Sequence, residues 1–217
     1  MNERTITVKG IGNVKTKPDL VVITLELVTQ MPDYAKTMEV AALELESIRK
    51  TLVSAGYEAQ NLKTTSFNIN TENESYKDAE GNWRREFIGY SCRHNLKLEF
   101  DFDMKRLGET MAAISESRIN PEFQIAFSVK DKNAVQSELL ENAVANAAEK
   151  AAILAKTGRI TLGPIKHIDY SWGEVRLYSE TRFDNVMCAA STGAPEIDIE
   201  PEDVSANDTV TIIWEIL

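Results

Sequence analysis

The sequence predicts an α+β fold: a largely antiparallel sheet covered by two long helices and one short helix, with a long projecting β-hairpin. Three observations lead there. Strand-like alternation comes in adjacent pairs, which favours antiparallel neighbours over the helix-crossover units of a doubly wound sheet. Three stretches instead repeat apolar residues every three or four positions, the helical period. Two long extended segments, 61–77 and 83–102, flank the turn-forming run Asp78-Ala79-Glu80-Gly81-Asn82. The expected order is β-β-α-β-β-α-β-α-β-β.

Each element has its own justification. In residues 4–12, Ile6, Val8 and Gly10 alternate with Thr5, Thr7 and Lys9, the pattern of a half-buried strand. Gly10 and Gly12 in such a strand signal a bulge or close backbone approach. Pro18-Asp19 opens a second strand, 20–28, with Val21, Ile23, Leu25 and Leu27 on one face. Asp33 is a suitable N-cap for a helix whose stripe is Met38, Ala41, Leu45, Ile48, Leu52 and Ala55, stopped by Gly56. The hairpin follows, and strands this long are expected to project in part beyond the body of a domain.

After the hairpin, 103–117 reads as a short helix with Leu107, Met111 and Ile114 inward, and 122–129 as a strand. The longest helix, 131–157, carries the stripe Val135, Leu139, Ala143, Ala147, Ala151 and Leu154, closed by Gly158. Seven of the thirteen residues from Ala143 to Ala155 are alanine, so close packing against a neighbour is expected there. Residues 165–176 read as one strand running on toward Thr181. Residues 182–202 read as an irregular surface or interaction loop, and 204–216 as a last strand with Val210, Ile212, Trp214 and Ile216 on one face.

Composition bounds the function. The 217 residues carry 34 acids against 24 bases, a net charge of -10. That balance gives no electrostatic footprint for a nucleic-acid partner, whose phosphates demand cations. Hydrophobic residues at 43% exclude a disordered chain. No segment approaches the roughly 18 apolar residues of a transmembrane helix. The organisation expected is one domain over 1–217, or two intimate subdomains over about 1–102 and 103–217. The first residues lack the basic and apolar regions of a leader. A cytoplasmic protein is therefore expected if Met1 is the native start, and a periplasmic or cell-envelope one if a leader was removed. Cys92 and Cys188 allow at most one bridge, and two reduced thiols are the expectation.

Several motifs in order resemble a known family. They are Ile6-x-Val8-x-Gly10-x-Gly12-x-Val14 with Pro18-Asp19, then Thr64-Thr65-Ser66-Phe67-x-Ile69, then Ile88-Gly89-Tyr90-x-Cys92-x-His94-x-Leu96. The alanine-rich helix with Gly158 and Leu162-Gly163-x-Ile165 follows, and Ile199-Glu200-Pro201 through Ile216 completes the series. Together they resemble the SIMPL domain proteins over nearly the whole chain. The resemblance implies an α+β fold, no established enzyme activity and no catalytic residues to carry over. It implies exported bacterial members of the periplasmic immunogen and outer-membrane-associated group, some linked to oxidative-stress tolerance and some forming ring-like oligomers. An animal member binds a Pelle-like kinase. This chain departs from the pattern in lacking an export signal and in having Pro201-Glu202 where many members have Pro-Gly.

Candidate chemistry is sparse. Cys92 and His94 are two apart in a strand and share a face, so they could form a reactive pair or two metal ligands. No further ligand spacing completes a metal site, and same-face pairs are common in hairpins. Gly10-x-Gly12 lacks the third glycine and the helix of a dinucleotide fingerprint. Asp103 reads as a helix cap beside Asp101, and the acids Glu196, Asp198, Glu200, Glu202 and Asp203 as charge guarding a strand entry. Trp83, Arg84, Arg85 and Phe87 near the hairpin tip combine the residue types of interface hot spots. The expected function is non-enzymatic: a homo-oligomer acting through protein contacts, with no cofactor, no metal and no named partner. The alternatives are a small-ligand binder with a pocket between helices and sheet, or an enzyme using Cys92 and His94.

Overall fold

The computed structural model describes residues 4–117, 119, 121–170, 175–184 and 200–217. The elements are β1 (Thr5–Thr16), β2 (Leu20–Met31), α1 (Tyr34–Ser54), a 3-10 turn (Ala59–Asn61), β3 (Lys63–Lys77), β4 (Trp83–Asp101), α2 (Met104–Glu116), β5 (Glu122–Ser128), α3 (Lys132–Gly158), β6 (Leu162–Tyr170), β7 (Tyr178–Asp184) and β8 (Val204–Ile216). The fold is α+β, with one sheet in the order β1-β8-β6 and another in the order β3-β4-β2-β5-β7. The chain divides into two compact units, each gathering more than one stretch of sequence.

Unit one comprises 1–19, 128–180 and 201–217. β8 pairs antiparallel with β1 on one side and β6 on the other. Val8, Val210, Ile212 and Trp214 form one face and receive Ala143, Ala147 and Ala151 of α3. Farther along, Leu139 joins Val14, Val129, Leu177, Val204 and Ala206. The helix lies very close to the strand. A Cβ on Gly10 would stand 2.0 Å from the Ala143 carbonyl oxygen, and one on Gly12 1.9 Å from that of Leu139. The two glycines and the alanine stripe are thus two halves of one contact.

That approach also covers an exposed strand edge. Asn142, Asn146 and Lys150, spaced one turn apart, hang over the outer side of β1. The Ile11 N–H donates to Asn146 Oδ1 at 3.0 Å, Asn142 Nδ2 donates to the Asn13 carbonyl at 3.1 Å, and Lys150 Nζ donates to the Lys9 carbonyl at 3.2 Å. Side chains of α3 therefore bond backbone groups that a further strand would otherwise take.

Unit two comprises 20–127 and 181–200. Its core joins Val21, Ile23, Leu25 and Leu27 of β2, Leu96, Leu98 and Phe100 of β4, Ile48 and Leu52 of α1, and Leu107, Met111 and Ile114 of α2, with Phe127 of β5. Each fully buried aliphatic side chain contributes about 1.5–3 kcal/mol relative to exposure. The expected caps are in place, since Asp33 accepts from the Lys36 N–H and Asp103 from the Arg106 N–H. Tyr57 and Thr110 share a buried 2.6 Å hydrogen bond between α2 and the segment after α1.

Three expectations change. The strand expected over 165–176 and on to 181 is two strands, β6 and β7, which belong to different sheets. Between them Leu177 turns into the unit-one core, its carbonyl accepting from the Ser128 hydroxyl. The region expected to be irregular from 182 is still β7 through Asp184, and 185–199, with Cys188, Glu196 and Asp198, lies outside the described residues. In α3 the buried stripe continues in steps of four to Ala155, leaving Leu154 49% exposed, because only a small side chain fits the narrow gap. The helix ends at Gly158, as expected, and the left-handed cap that follows it is Arg159, at φ 55°.

The glycine contact gives a direct test. Gly12→Ala places a methyl against backbone that cannot rotate aside, and a loss of about 3 kcal/mol is expected. Urea unfolding measures it, with Gly158→Ala as the mild control, where a Cβ meets nothing nearer than 3.9 Å.

Candidate interaction surface

The β3–β4 hairpin holds every site residue expected from the sequence. β4 pairs with β2 only from Tyr90 to Asp101, whereas its pairing with β3 runs from Trp83 to Lys97. Residues 83–89 and their partners in β3 therefore form a two-stranded ribbon beyond the end of β2. Isolated two-stranded ribbons are at best marginally stable in water. Its turn is held by Asp78, whose carboxylate accepts from the Glu80 and Asn82 N–H groups and from Arg84 Nε at 2.9 Å. The Arg84 guanidinium, with the Asn82 N–H next, holds the Asp78 carboxyl below its ordinary range.

The four expected surface residues divide between two faces. Trp83, Arg85 and Phe87 alternate onto one face, and Arg84 lies on the other beside its cross-strand partner Tyr76. Trp83 is 70% exposed, with the Lys77 ammonium 5.2 Å from its ring centre. Phe87 packs edge-on against Tyr90 at 5.2 Å, and Tyr90 against Tyr34 of α1 at 5.5 Å. These rings make an aromatic row from the first turn of α1 onto the uncovered ribbon. Tyr34, Tyr76 and Tyr90 were not among the residues expected from sequence. A register irregularity between Glu72 and Asn73 on β3, opposite Gly89 and Phe87, sets Phe87 beside Tyr90, and no local sequence pattern announces it. Gly89, at φ 148°, has only 2.4 Å between a would-be Cβ and the Met31 carbonyl oxygen, which accounts for glycine there.

Cys92 and His94 do share a face, as expected, and both are buried, at 1% and 5% exposure. The imidazole Nε2 lies 2.9 Å from the Thr64 hydroxyl, and the Phe67 ring stands edge-on to it at 5.1 Å. Burial, and secondarily Glu44, pushes the Cys92 thiol up. Burial, and secondarily Arg49, pushes His94 down. A nucleophilic pair needs the opposite shifts, toward thiolate and imidazolium. Above the two, Thr29 of β2 donates to the Glu44 carboxylate of α1, which satisfies a buried hydroxyl. Among the described residues no three His, Cys, Asp or Glu side chains converge on a metal-sized site, and no helix is long and apolar enough to cross a membrane. An open depression of about 350 Å³, lined by Thr24, Glu26, Thr65, Asn95, Glu122, Phe123 and Gln124, lies on the sheet face turned away from α1.

Comparison with known proteins agrees with the motif pattern. The sequence model of the SIMPL family, described as a protein of unknown function (DUF541), matches residues 6–214. Similar proteins include the 26 kDa periplasmic immunogenic protein of Brucella melitensis biotype 1, 24% identical over 97% of this chain and 84% of its relative. The protein of the same name from Brucella abortus strain S19 is 23% identical over the same shares.

The histidine gives a pH test. His94 is held below its ordinary value of 6.5, so the folded state excludes a proton that the unfolded chain accepts. Its contribution to stability is complete above pH 6.5 and is lost as pH falls below that value toward the lowered folded one. Unfolding free energy should therefore decline as pH falls below about 6.5, and His94→Gln should flatten part of that decline. An identical slope in the variant contradicts the assignment.

Proposed function

The chain belongs to the SIMPL family, and from that membership we propose that it works without catalysis, by self-assembly and protein contacts through the projecting hairpin. The observation that carries this reading is the ribbon's exposed aromatic surface. Trp83 and Phe87 flank Arg85 on one face of the ribbon, Tyr76 lies beside Arg84 on the other, and Ile88 is exposed as well, all beyond the helix-covered sheet. Aromatic and arginine side chains together are the residue types in which binding energy concentrates. A two-stranded ribbon also gains more from a partner than a strand inside a sheet does. The shifts at Cys92 and His94 support packing over catalysis there. We read residues 1–217 as one family domain built of two units. The relatives are named periplasmic, and we place this chain in the same compartment. A contribution to stress tolerance, which the resemblance implies for bacterial members, is part of the same reading.

Sedimentation velocity at tens of micromolar tests the assembly, which should sediment faster than one chain. A strict monomer overturns it. The paired change Trp83→Ser with Phe87→Ser should weaken self-association at least about tenfold, some 1.4 kcal/mol. If deletion of residues 76–86 leaves the oligomer unchanged, the ribbon has no part in it. Fractionation of cells should recover the protein with the periplasmic contents, and a wholly cytoplasmic distribution contradicts the placement.

A further inference from the structure

The strand edges of this molecule are protected unequally. β1 has its outer backbone groups bonded by Asn142, Asn146 and Lys150 of α3. β6 carries Pro164, Lys166 and Asp169, and its register shifts twice. β7 is short and carries the charges of Glu180 and Arg182 two positions apart. Proline, bulges, charge and short length are the ordinary devices that keep a strand edge from pairing with another chain. β3 is the exception. It spans fifteen residues, and among the described residues it pairs with β4 alone. From Thr64 to Thr71 it has no charge and no proline, and its register is regular from Ser66 to Glu72.

We propose that the outer edge of β3 pairs antiparallel with β3 of a second copy of this chain, joining the two five-stranded sheets into one. The proposal rests on the self-assembly reading above and names its geometry. Charge selects both the occupant and the direction. Lys63 stands at one end of the uncharged stretch, and Glu72 and Glu74 at the other. Antiparallel pairing brings Lys63 of each copy alongside Glu72 and Glu74 of the other. Parallel pairing would set each charge beside its own kind.

The hairpin itself supplies an independent reason. Within it, Lys63 faces Lys97 and Glu74 faces Glu86, two like-charge cross-strand pairs. Like charges directly opposite are destabilising. Lys97 is drawn to Glu99 at 2.9 Å, and antiparallel pairing places an opposite charge beside Lys63 and Glu74 as well.

Symmetry limits the register, and the charges at the two ends select among the registers it allows. A two-fold axis perpendicular to the joined sheet keeps the helix-covered faces on the same side, so facing residues must share a face. With Ile69 opposite Ile69 of the second copy, Phe67 meets Thr71 and Asn68 meets Asn70. The irregularity between Thr64 and Ser66 advances Lys63 toward Glu74.

The charge-swap set Lys63→Glu, Glu74→Lys and the double variant tests this by sedimentation equilibrium at low salt. Both side chains are exposed, so the variants keep the fold. Each single change should weaken self-association at least about tenfold, because two-fold symmetry doubles its effect. The double variant should return to within about threefold of the parent. If the singles associate like the parent, the β3 edge is not the interface, although assembly itself stands. If the singles weaken and the double does not recover, Lys63 and Glu74 do not face each other across the contact, and the antiparallel two-fold pairing is overturned. A parent that is monomeric throughout overturns both this proposal and the assembly reading.

Discussion

The contact of α3 with the two glycines of β1 governs unit one. A helix backbone can lie this close to a strand only where both surfaces lack side chains. Gly10 and Gly12 supply the bare strand, and Ala143, Ala147 and Ala151 the low helix face. A methyl at either glycine would collide with a carbonyl oxygen of the helix, so the spacing has almost no tolerance. Two consequences follow. Leu154 is excluded from the stripe that Ala155 completes. The flanking polar side chains of α3 come within reach of the edge of β1 and bond to it. Packing and edge protection therefore arise from the same residues.

Unit two solves only half of the corresponding problem. α1 and α2 cover the apolar face of β2 and β4, where Ile23, Leu25, Leu96 and Leu98 are buried. Neither a helix side chain nor a strand is found along the outer side of β3 among the described residues. The sheet's longest pairing thus ends in a strand whose backbone valence is unused and whose charges are mismatched with its neighbour. Local interactions elsewhere in the chain agree with one another, as they do in sequences that fold to one state. The charge conflicts at Lys63–Lys97 and Glu74–Glu86 are local exceptions, and such exceptions concentrate at functional sites.

Much of this architecture was legible in the sequence. Caps and periodicity marked all three helices, because Asp33, Asp103 and Asp131 each bond the first turn that follows them. Glycines at 10 and 12 announced a close approach, although not which helix makes it. The hairpin was visible from its turn residues and its length. The division of residues 165–181 between two sheets was not, because alternation reports a strand without naming its neighbour. The aromatic row from Tyr34 to Phe87 was likewise hidden, since it depends on a register irregularity and on the placement of the start of α1. The face shared by Cys92 and His94 followed from their spacing, but their protonation follows from burial, which spacing does not give.

The central claim is that β3 is the strand this molecule leaves open for a second copy of itself. Backbone hydrogen exchange measures it most directly, because an amide on the outer edge of a strand is protected only when something pairs with it. Comparison of concentrated and dilute protein should show the outward amides between Ser66 and Glu72 slowing with concentration, while those of β1 stay constant under the cover of α3. Equal exchange of the β3 amides at both concentrations, in protein that is assembled at the higher one, would contradict the claim.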